Sequence, residues 1–337
     1  MSFVTTQPEA PGSFQGIGPD TASSEGKGFS DGRPHRNLPA ADAQTANTPR
    51  RSGIGVRPIA PADTAEICDL LEHGFGIAAD DWRPLYTTNW LADNPARGFV
   101  LTDGGRIVGH VATLYSQREI NGKTGLVCNF SGFYIAPGYR GRGLGTTLVA
   151  AAVRDERVTY TTLTPAPVTQ RVVEGLGFAI LERQLLLFPP GLNAKTLWRS
   201  RVDIDVNART VRASLGQAER RIYDDHASYG FLHMTARDAG GTAYLVAKRR
   251  VRRTRVAPVP LSLILHCSAP DVLARNFERI KLAIMWQQKT FGIAINERLF
   301  PKAPRAIRRE NIAQYRSPVF TPNELDLLYS EFVLLDI

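Results

Sequence analysis

Arg140, Gly141, Arg142, Gly143 and Gly145 stand together in the stretch YIAPGYRGRGLGTTLVAAAV, residues 134–153. Alternating glycines let a backbone bend sharply and approach a ligand with no Cβ in the way. The stretch then turns helical: Leu144, Leu148, Val149, Ala152 and Val153 share one face at 3.6-residue spacing. The first N–H groups of a helix have no partner inside it, and with the positive end of the helix dipole they attract an anion. The preceding NFSGFYIAP is aromatic and β-branched and closes at Pro137, as a strand does. Strand, glycine turn and helix in that order point to a phosphate or pyrophosphate. A P-loop is excluded because no Lys follows the glycines. A dinucleotide fingerprint is excluded because the third glycine follows the second by two residues, not three.

The pattern that fits is Arg/Gln-x-x-Gly-x-Gly/Ala, present as Arg140, Gly143 and Gly145. Through YIAPGYRGRGLG, with a strand before it and a helix after it, the chain resembles the GNAT superfamily of acyl-CoA-dependent acyltransferases. The resemblance covers Gly55 to Phe188. It implies that backbone groups of Gly141, Arg142, Gly143, Leu144, Gly145 and Thr146 hold the pyrophosphate of acetyl-CoA or another acyl-CoA. It implies that main-chain groups of Phe133, Tyr134 and Ile135 pair with pantetheine, and that one N–H there faces the thioester oxygen. Arg140 and Arg142 add charge near the phosphates or stand in solvent.

The elements that must position this loop read as follows. IGVRPIAPADTAEICDLLEHGF gives a strand and then a helix with Ala65, Cys68, Leu71 and Phe75 along a face. A hairpin turns at Asp103-Gly104-Gly105. RVTYTTLTP is a strand ended by Pro165, and APVTQRVVEGLGFAILER is a helix that runs through Gly177-Phe178 into a strand. The fold implied is α+β: the GNAT fold, a mixed central β-sheet flanked by helices, over 54–188.

Acyl transfer needs a held thioester, a polarised carbonyl, a proton acceptor for the nucleophile and a proton for the leaving thiolate. Many relatives carry a Tyr acid where this chain has Val173, and a Glu base where it has Asn129. Asn129, Ser131, Thr162 and Thr164 lie on the two strands that flank the thioester in the family and are candidates to orient substrate. His73, His110 and Glu119 are further candidate bases, although a lone His is more often structural. Two functions remain. One is an N- or O-acyltransferase acting on a small-molecule or sugar acceptor. The other is a non-catalytic acyl-CoA binder or scaffold, which the missing Tyr and Glu favour. A polar, open acceptor cleft marks the first, and a cleft filled by apolar side chains the second.

The remaining sequence sets bounds. A chain of 337 residues, 43% of them hydrophobic, holds two domains and tails. Residues 1–53, rich in Gly, Pro, Ser and Ala, read as a disordered tail. Residues 189–337 form a second α/β unit. It contains a helix over VNARTVRASLGQAERRIYDDHA with Val206, Val211, Leu215 and Ile222 inward, and a hairpin at Asp238–Gly241. TYTTLTPAPVTQRVV and LILHCSAPDVLARNF share a strand–Ala-Pro–helix pattern, which suggests a degenerate second copy of the fold. KRRVRRTRVAPVP stands at the place of its loop, offers no glycine, and predicts no second acyl-CoA cradle. The net charge of +9, concentrated at Lys248–Arg255 and Arg305–Arg309, reads as a solvated strand end and loop. Nucleic acid is not expected as a partner, since no recognition motif accompanies the charge. Cys68, Cys128 and Cys267 have no metal-ligand spacing, so no metal is expected, and buried thiols in a cytoplasmic protein are. No membrane span or secretory signal is seen.

Overall fold

A computed structural model of the chain describes residues 53–336, apart from 92, 95, 254–256, 302, 304 and 305. The expected tail over 1–53 lies, except for Gly53, outside the described residues. The first half runs β1 (Ile54–Pro58), α1 (Thr64–Phe75), α2 (Ala79–Trp82), α3 (Pro84–Thr87), β2 (Gly98–Asp103), β3 (Arg106–Ile120), β4 (Lys123–Ile135), α4 (Leu144–Ala152), β5 (Thr159–Thr162), α5 (Pro167–Glu174) and β6 (Ala179–Phe188). The second half continues with α6 (Ala194–Arg199), β7 (Asp203–Asp205), α7 (Ala208–Ser214), α8 (Gln217–His226), β8 (Leu232–Asp238), β9 (Gly241–Arg253), β10 (Pro258–Cys267), α9 (Pro270–Arg275), α10 (Phe277–Gln288), β11 (Ile293–Asn296), β12 (Ile307–Arg316) and α11 (Glu331–Leu334).

The strands make one 12-stranded sheet in the order β1-β2-β3-β4-β5-β12-β6-β11-β10-β9-β8-β7. The order is the same idea read from either end. Each half is an antiparallel meander of four strands followed by a parallel fifth: β4 with β5, and β10 with β11. Each half then receives the other half's last strand, β12 beside β5 and β6 beside β11. The boundary expected between residues 188 and 189 therefore falls after a strand that pairs with the second half, and the sheet runs unbroken across it.

The repetition shifts one sequence expectation. β10 is the counterpart of β4, not of β5, and KRRVRRTRVAPVP spans the end of β9 and the start of β10 rather than the loop after the strand. The charge there is not all solvated either. On β9 the side chains alternate: Arg249 is exposed, whereas Lys248 is buried and the Arg250 guanidinium packs over the Phe332 ring. The long helix expected over 206–227 is two helices broken at Leu215-Gly216; Val211, Leu215 and Ile222 are buried as expected, whereas Val206 precedes the first helix and is only partly buried.

Packing follows the pleat, since alternate strand residues face opposite layers. Leu245 and Ala247 join Ile264, Leu273, Ile280 and Ile284 beneath α9 and α10. Tyr244 and Val246 face the other way, onto Leu263, Leu265 and the C-terminal residues Leu325, Leu327 and Phe332. In the first half, Leu148, Val149 and Ala152 of α4 cover Cys128, Phe130 and Tyr160. On the opposite face Ile67, Cys68 and Leu71 of α1 cover Val100, Ile107 and Ala112. Cys68, Cys128 and Cys267 are buried and unpaired.

After β12 the chain crosses back over both halves. Asp326 accepts from both arms of Arg118 on β3 (3.0 and 2.7 Å) and pairs with His266 Nδ1 of β10 at 2.8 Å. Burial would raise the Asp326 carboxyl, but the Arg118 charge and His266 outweigh it and hold it far below the usual carboxylate range. Lys248 donates to the carbonyls of Phe332 (3.1 Å) and Leu335 (2.9 Å). Tyr329 donates to Asp225 at 2.7 Å. Among the described residues no helix is long and apolar enough to cross a membrane.

Candidate functional site

β4 outruns its parallel neighbour. Its pairing with β5 stops at Phe130↔Thr162, while the strand continues to Ile135. On the other side, its register against β3 slips between Ala112↔Ser131 and His110↔Tyr134, so that Gly132 and Phe133 form a bulge. Gly132 takes φ +59°, a conformation that glycine adopts at little cost. The bulge is held from beneath by His110. Its Nδ1 donates to Gly132 O at 2.8 Å, which leaves Nε2 to accept from the Tyr86 hydroxyl at 2.8 Å. Burial pushes His110 down to about 4, so it is neutral at physiological pH and both ring nitrogens are engaged. His110 is thus a strut of the site and not a free base.

Beyond Ile135 the chain makes the glycine loop. Gly141 and Gly143 take φ +73° and +72°, and Gly143 caps α4. The first bond of that helix runs from Thr147 N to Gly143 O, which leaves the N–H groups of Leu144, Gly145 and Thr146 unpaired at its head. Gly145 has another reason to lack a side chain: a Cβ there would come within 3.1 Å of the Phe133 ring. Arg140 reaches back, donating from Nε to Ile135 O at 2.8 Å and lying over the Tyr134 ring. Arg142 instead packs over the Tyr139 ring.

These parts enclose one cavity of about 940 Å³, at the roomy end of the range for ligand pockets. Phe133, Tyr134, Ile135, Arg140, Gly141, Gly143, Leu144, Gly145 and Thr146 all line it, and Arg142 does not. Ser131, Thr162 and Thr164 stand in its wall, as does the apolar Val173 of α5. Asn129 lies behind the wall. It is buried, accepts from Thr161 Oγ1 at 3.0 Å, and donates through Nδ2 to Glu331. His73 is exposed on α1, and Glu119 is exposed near the β3–β4 turn; neither lines the cavity.

Two groups were out of reach of sequence reasoning. The first is Glu310, Asn311 and Ile312, which β12 carries into the cavity wall from the far end of the chain. The β12–β6 register slips between Glu310 and Ala313, so the strand bulges there. Glu310 is the one acidic side chain among the lining residues, and Arg140 the one basic. The second is Glu331, buried beside Asn129 and bonded to the half-buried Thr164, whose Oγ1 donates to Glu331 Oε1 at 2.9 Å. Burial pushes the Glu331 carboxyl above the usual range. No local signal marks either group; only the sheet topology brings them in. Among the described residues no three His, Cys, Asp or Glu side chains are grouped to hold a metal ion.

Residues 64–166 match the family model described as the acetyltransferase (GNAT) family. No curated protein matches the chain. A solved GCN5-related N-acetyltransferase from Anabaena variabilis aligns with a TM-score of 0.50 at 14% identity, over 78% of this chain and 72% of that one. A GCN5-related glucosamine N-acetyltransferase region of a fungal multi-domain β-N-acetylglucosaminidase aligns with a TM-score of 0.54 at 13% identity, over 78% of this chain and 38% of that one. These likenesses show the fold, and they extend well beyond the segment that matches the family model.

Proposed function

We propose that the protein is an acyltransferase, a reading supported by the match of residues 64–166 to the acetyltransferase (GNAT) family model. It moves an acetyl or other short acyl group from acyl-CoA to an amine or hydroxyl of a small-molecule or sugar acceptor. The observation that carries this reading is the continuity of the cavity. The unpaired N–H groups at the head of α4 and the free edge of β4 open onto the same space as Ser131, Thr162, Thr164, Glu310 and Asn311. A pyrophosphate fits the helix head. The pantetheine arm, an extended chain of amides, fits the open strand edge as an added strand would. The thioester then falls where β4 and β5 part, close to the polar groups.

A non-catalytic binder would fill that end with apolar side chains. The hydroxyls, the amide and the carboxylate favour an enzyme, and Glu310 favours an acceptor that bears an amine. The test is a panel reaction of the full chain with labelled acetyl-CoA and glucosamine, spermidine, a lysine peptide and a neutral sugar, read by mass spectrometry. Acetylation of at least one amine and slower or no acetylation of the neutral sugar is the expected result. Tight binding of acetyl-CoA without turnover on any acceptor would favour the binder.

A further inference from the structure

We propose that Glu331 takes up the proton released in acyl transfer, acting through the Thr164 hydroxyl. The inference rests on the acyl-transfer reading and supplies the base that Asn129 cannot provide. Glu331 lies 202 residues from Asn129 in the chain and 167 from Thr164, yet its carboxyl is bonded to both. The geometry is directional. Thr161 donates to Asn129 Oδ1, which turns the Asn129 amide nitrogen toward Glu331. Thr164 donates its one proton to Glu331 Oε1, and Thr164 is itself one of the residues that line the cavity. A hydroxyl so placed accepts a proton on the cavity side as it releases its own on the buried side.

The step balances. The acceptor N–H or O–H bond breaks as its heavy atom bonds the thioester carbon. That proton goes to Thr164 Oγ1, and the Thr164 proton goes to Glu331 Oε1. When the C–S bond breaks, the proton returns by the same two groups to the thiolate. The products are the acylated acceptor and free CoA.

A buried carboxyl with no cation on it is costly, and the fold invests heavily in holding this one still. Its partners, Asn129 and Thr164, are both neutral. The charged and titratable groups on the elements around it are Lys248 and Arg250 of β9, Asp225 and His226 of α8, Arg83 just before α3 and Tyr86 within it, the Arg118–Asp326–His266 cluster, Tyr329 and Asp336. Arg83 pairs with Asp80, Tyr86 with His110 and His226 with Ile222 O, the others hold the C-terminal segment or each other, and no hydrogen bond or ion pair joins any of them to Glu331 among the described residues. Burial raises the carboxyl above the ordinary glutamate value, against the hydrogen bonds from Asn129 and Thr164, and so makes it a better proton acceptor.

The experiment uses the full chain as wild type, Glu331→Gln, Thr164→Val and Thr164→Ser. Three quantities are read: acetyl-CoA binding by calorimetry, CoA thiol release from acetyl-CoA with glucosamine or water as acceptor across pH, and the carboxyl infrared band across pH. The expected result is a protonated-carboxyl band in the wild type that titrates above the ordinary glutamate range and is missing from Glu331→Gln. Thiol release should fall about a hundredfold in Glu331→Gln and in Thr164→Val, the size usual for losing a general base. The acid limb of the rate should vanish in Glu331→Gln and recover, with most of the rate, in Thr164→Ser. Acetyl-CoA binding should stay within about threefold throughout, since neither group bonds the cofactor cradle. Intact binding with an unchanged acid limb in Glu331→Gln, or the absence of the titrating band, would overturn this proposal alone. A wild type that binds no acetyl-CoA would overturn the acyl-transfer reading and this proposal with it. Should Glu331→Gln fail to fold, Thr164→Val carries the same rate comparison.

Discussion

The molecule builds one sheet opening twice and uses the two in opposite ways. In the first half, β4 parts from β5 after Phe130, bulges at Gly132 and leaves its edge free. In the second half, β10 pairs with β11 only at Ser262 and Leu263 and shifts register at the corresponding place, between Ile264 and His266. There the edge is taken: Leu327 N donates to Leu265 O at 3.0 Å, and Leu327 and Leu328 pack into the core beside it. The turn that follows also differs. The first opening leads into three glycines and a nine-residue helix. The second has Ser268 and Ala269 only, then Pro270 at the head of a six-residue helix, which removes an N–H that an anion would need. A shared scaffold is therefore not enough for a cofactor site. The edge must also be left free, and the helix head must keep its donors.

The plug of the second opening is also the segment that presents Glu331 to the first, so the strongest way to break the comparison is to release it. Asp326→Ala leaves the Arg118 guanidinium buried without its partner and should cost about 3–5 kcal/mol of stability. Urea unfolding of wild type and variant measures it; a loss below 1 kcal/mol would mean that the segment is not anchored there.

Acidification should act next most strongly. His110 and His226 are both buried and pushed down to about 4, below the ordinary histidine value of 6.5. An unfolded chain takes up protons between those two values that the fold refuses. Their stabilisation is thus complete above about pH 6.5 and is lost as pH falls toward 4, on the order of 2 kcal/mol for each by pH 5. The depressed Asp326 adds a further loss below about pH 4, where the unfolded chain's carboxyl takes up a proton that the folded one still refuses. Urea midpoints at pH 7.5, 6 and 5 should fall in that order, and a flat series would contradict buried neutral imidazoles.

The smallest effect sharpens the account of the loop. Arg142 lies over Tyr139 and outside the cavity, so Arg142→Ala should weaken acetyl-CoA binding less than about fivefold, as expected for an exposed charge. A larger loss would place its side chain on the phosphates.

How far the sequence could be read depended on the span of each interaction. The hairpin at Gly104-Gly105, the loop through Gly141, Gly143 and Gly145, and the inward face of α4 are local, so residue type and spacing were enough. The seating of β12 between β5 and β6 is not: Tyr315 pairs with Thr161, and no pattern near either one records it. The same holds for Glu331 against Asn129. The missing Glu at position 129 was visible, but its replacement came from the other end of the chain. The alignment of LILHCSAPDVLARNF with TYTTLTPAPVTQRVV slipped by one strand because Ala-Pro before a helix is a generic helix start. Lys248 and Arg250 read as solvated because a run of charge hides its alternation until the strand has a partner on one face.

Titration calorimetry of the full chain with acetyl-CoA, at low and high salt, tests the comparison most directly. One site per chain is predicted, with an affinity that survives high salt. In Gly143→Asp it should fall by about a hundredfold or more, because a side chain is strained at φ +72° and a carboxylate would stand at the positive helix head. Two sites per chain, or one site that Gly143→Asp leaves intact, would contradict the assignment of the open edge to acyl-CoA and of the filled edge to structure.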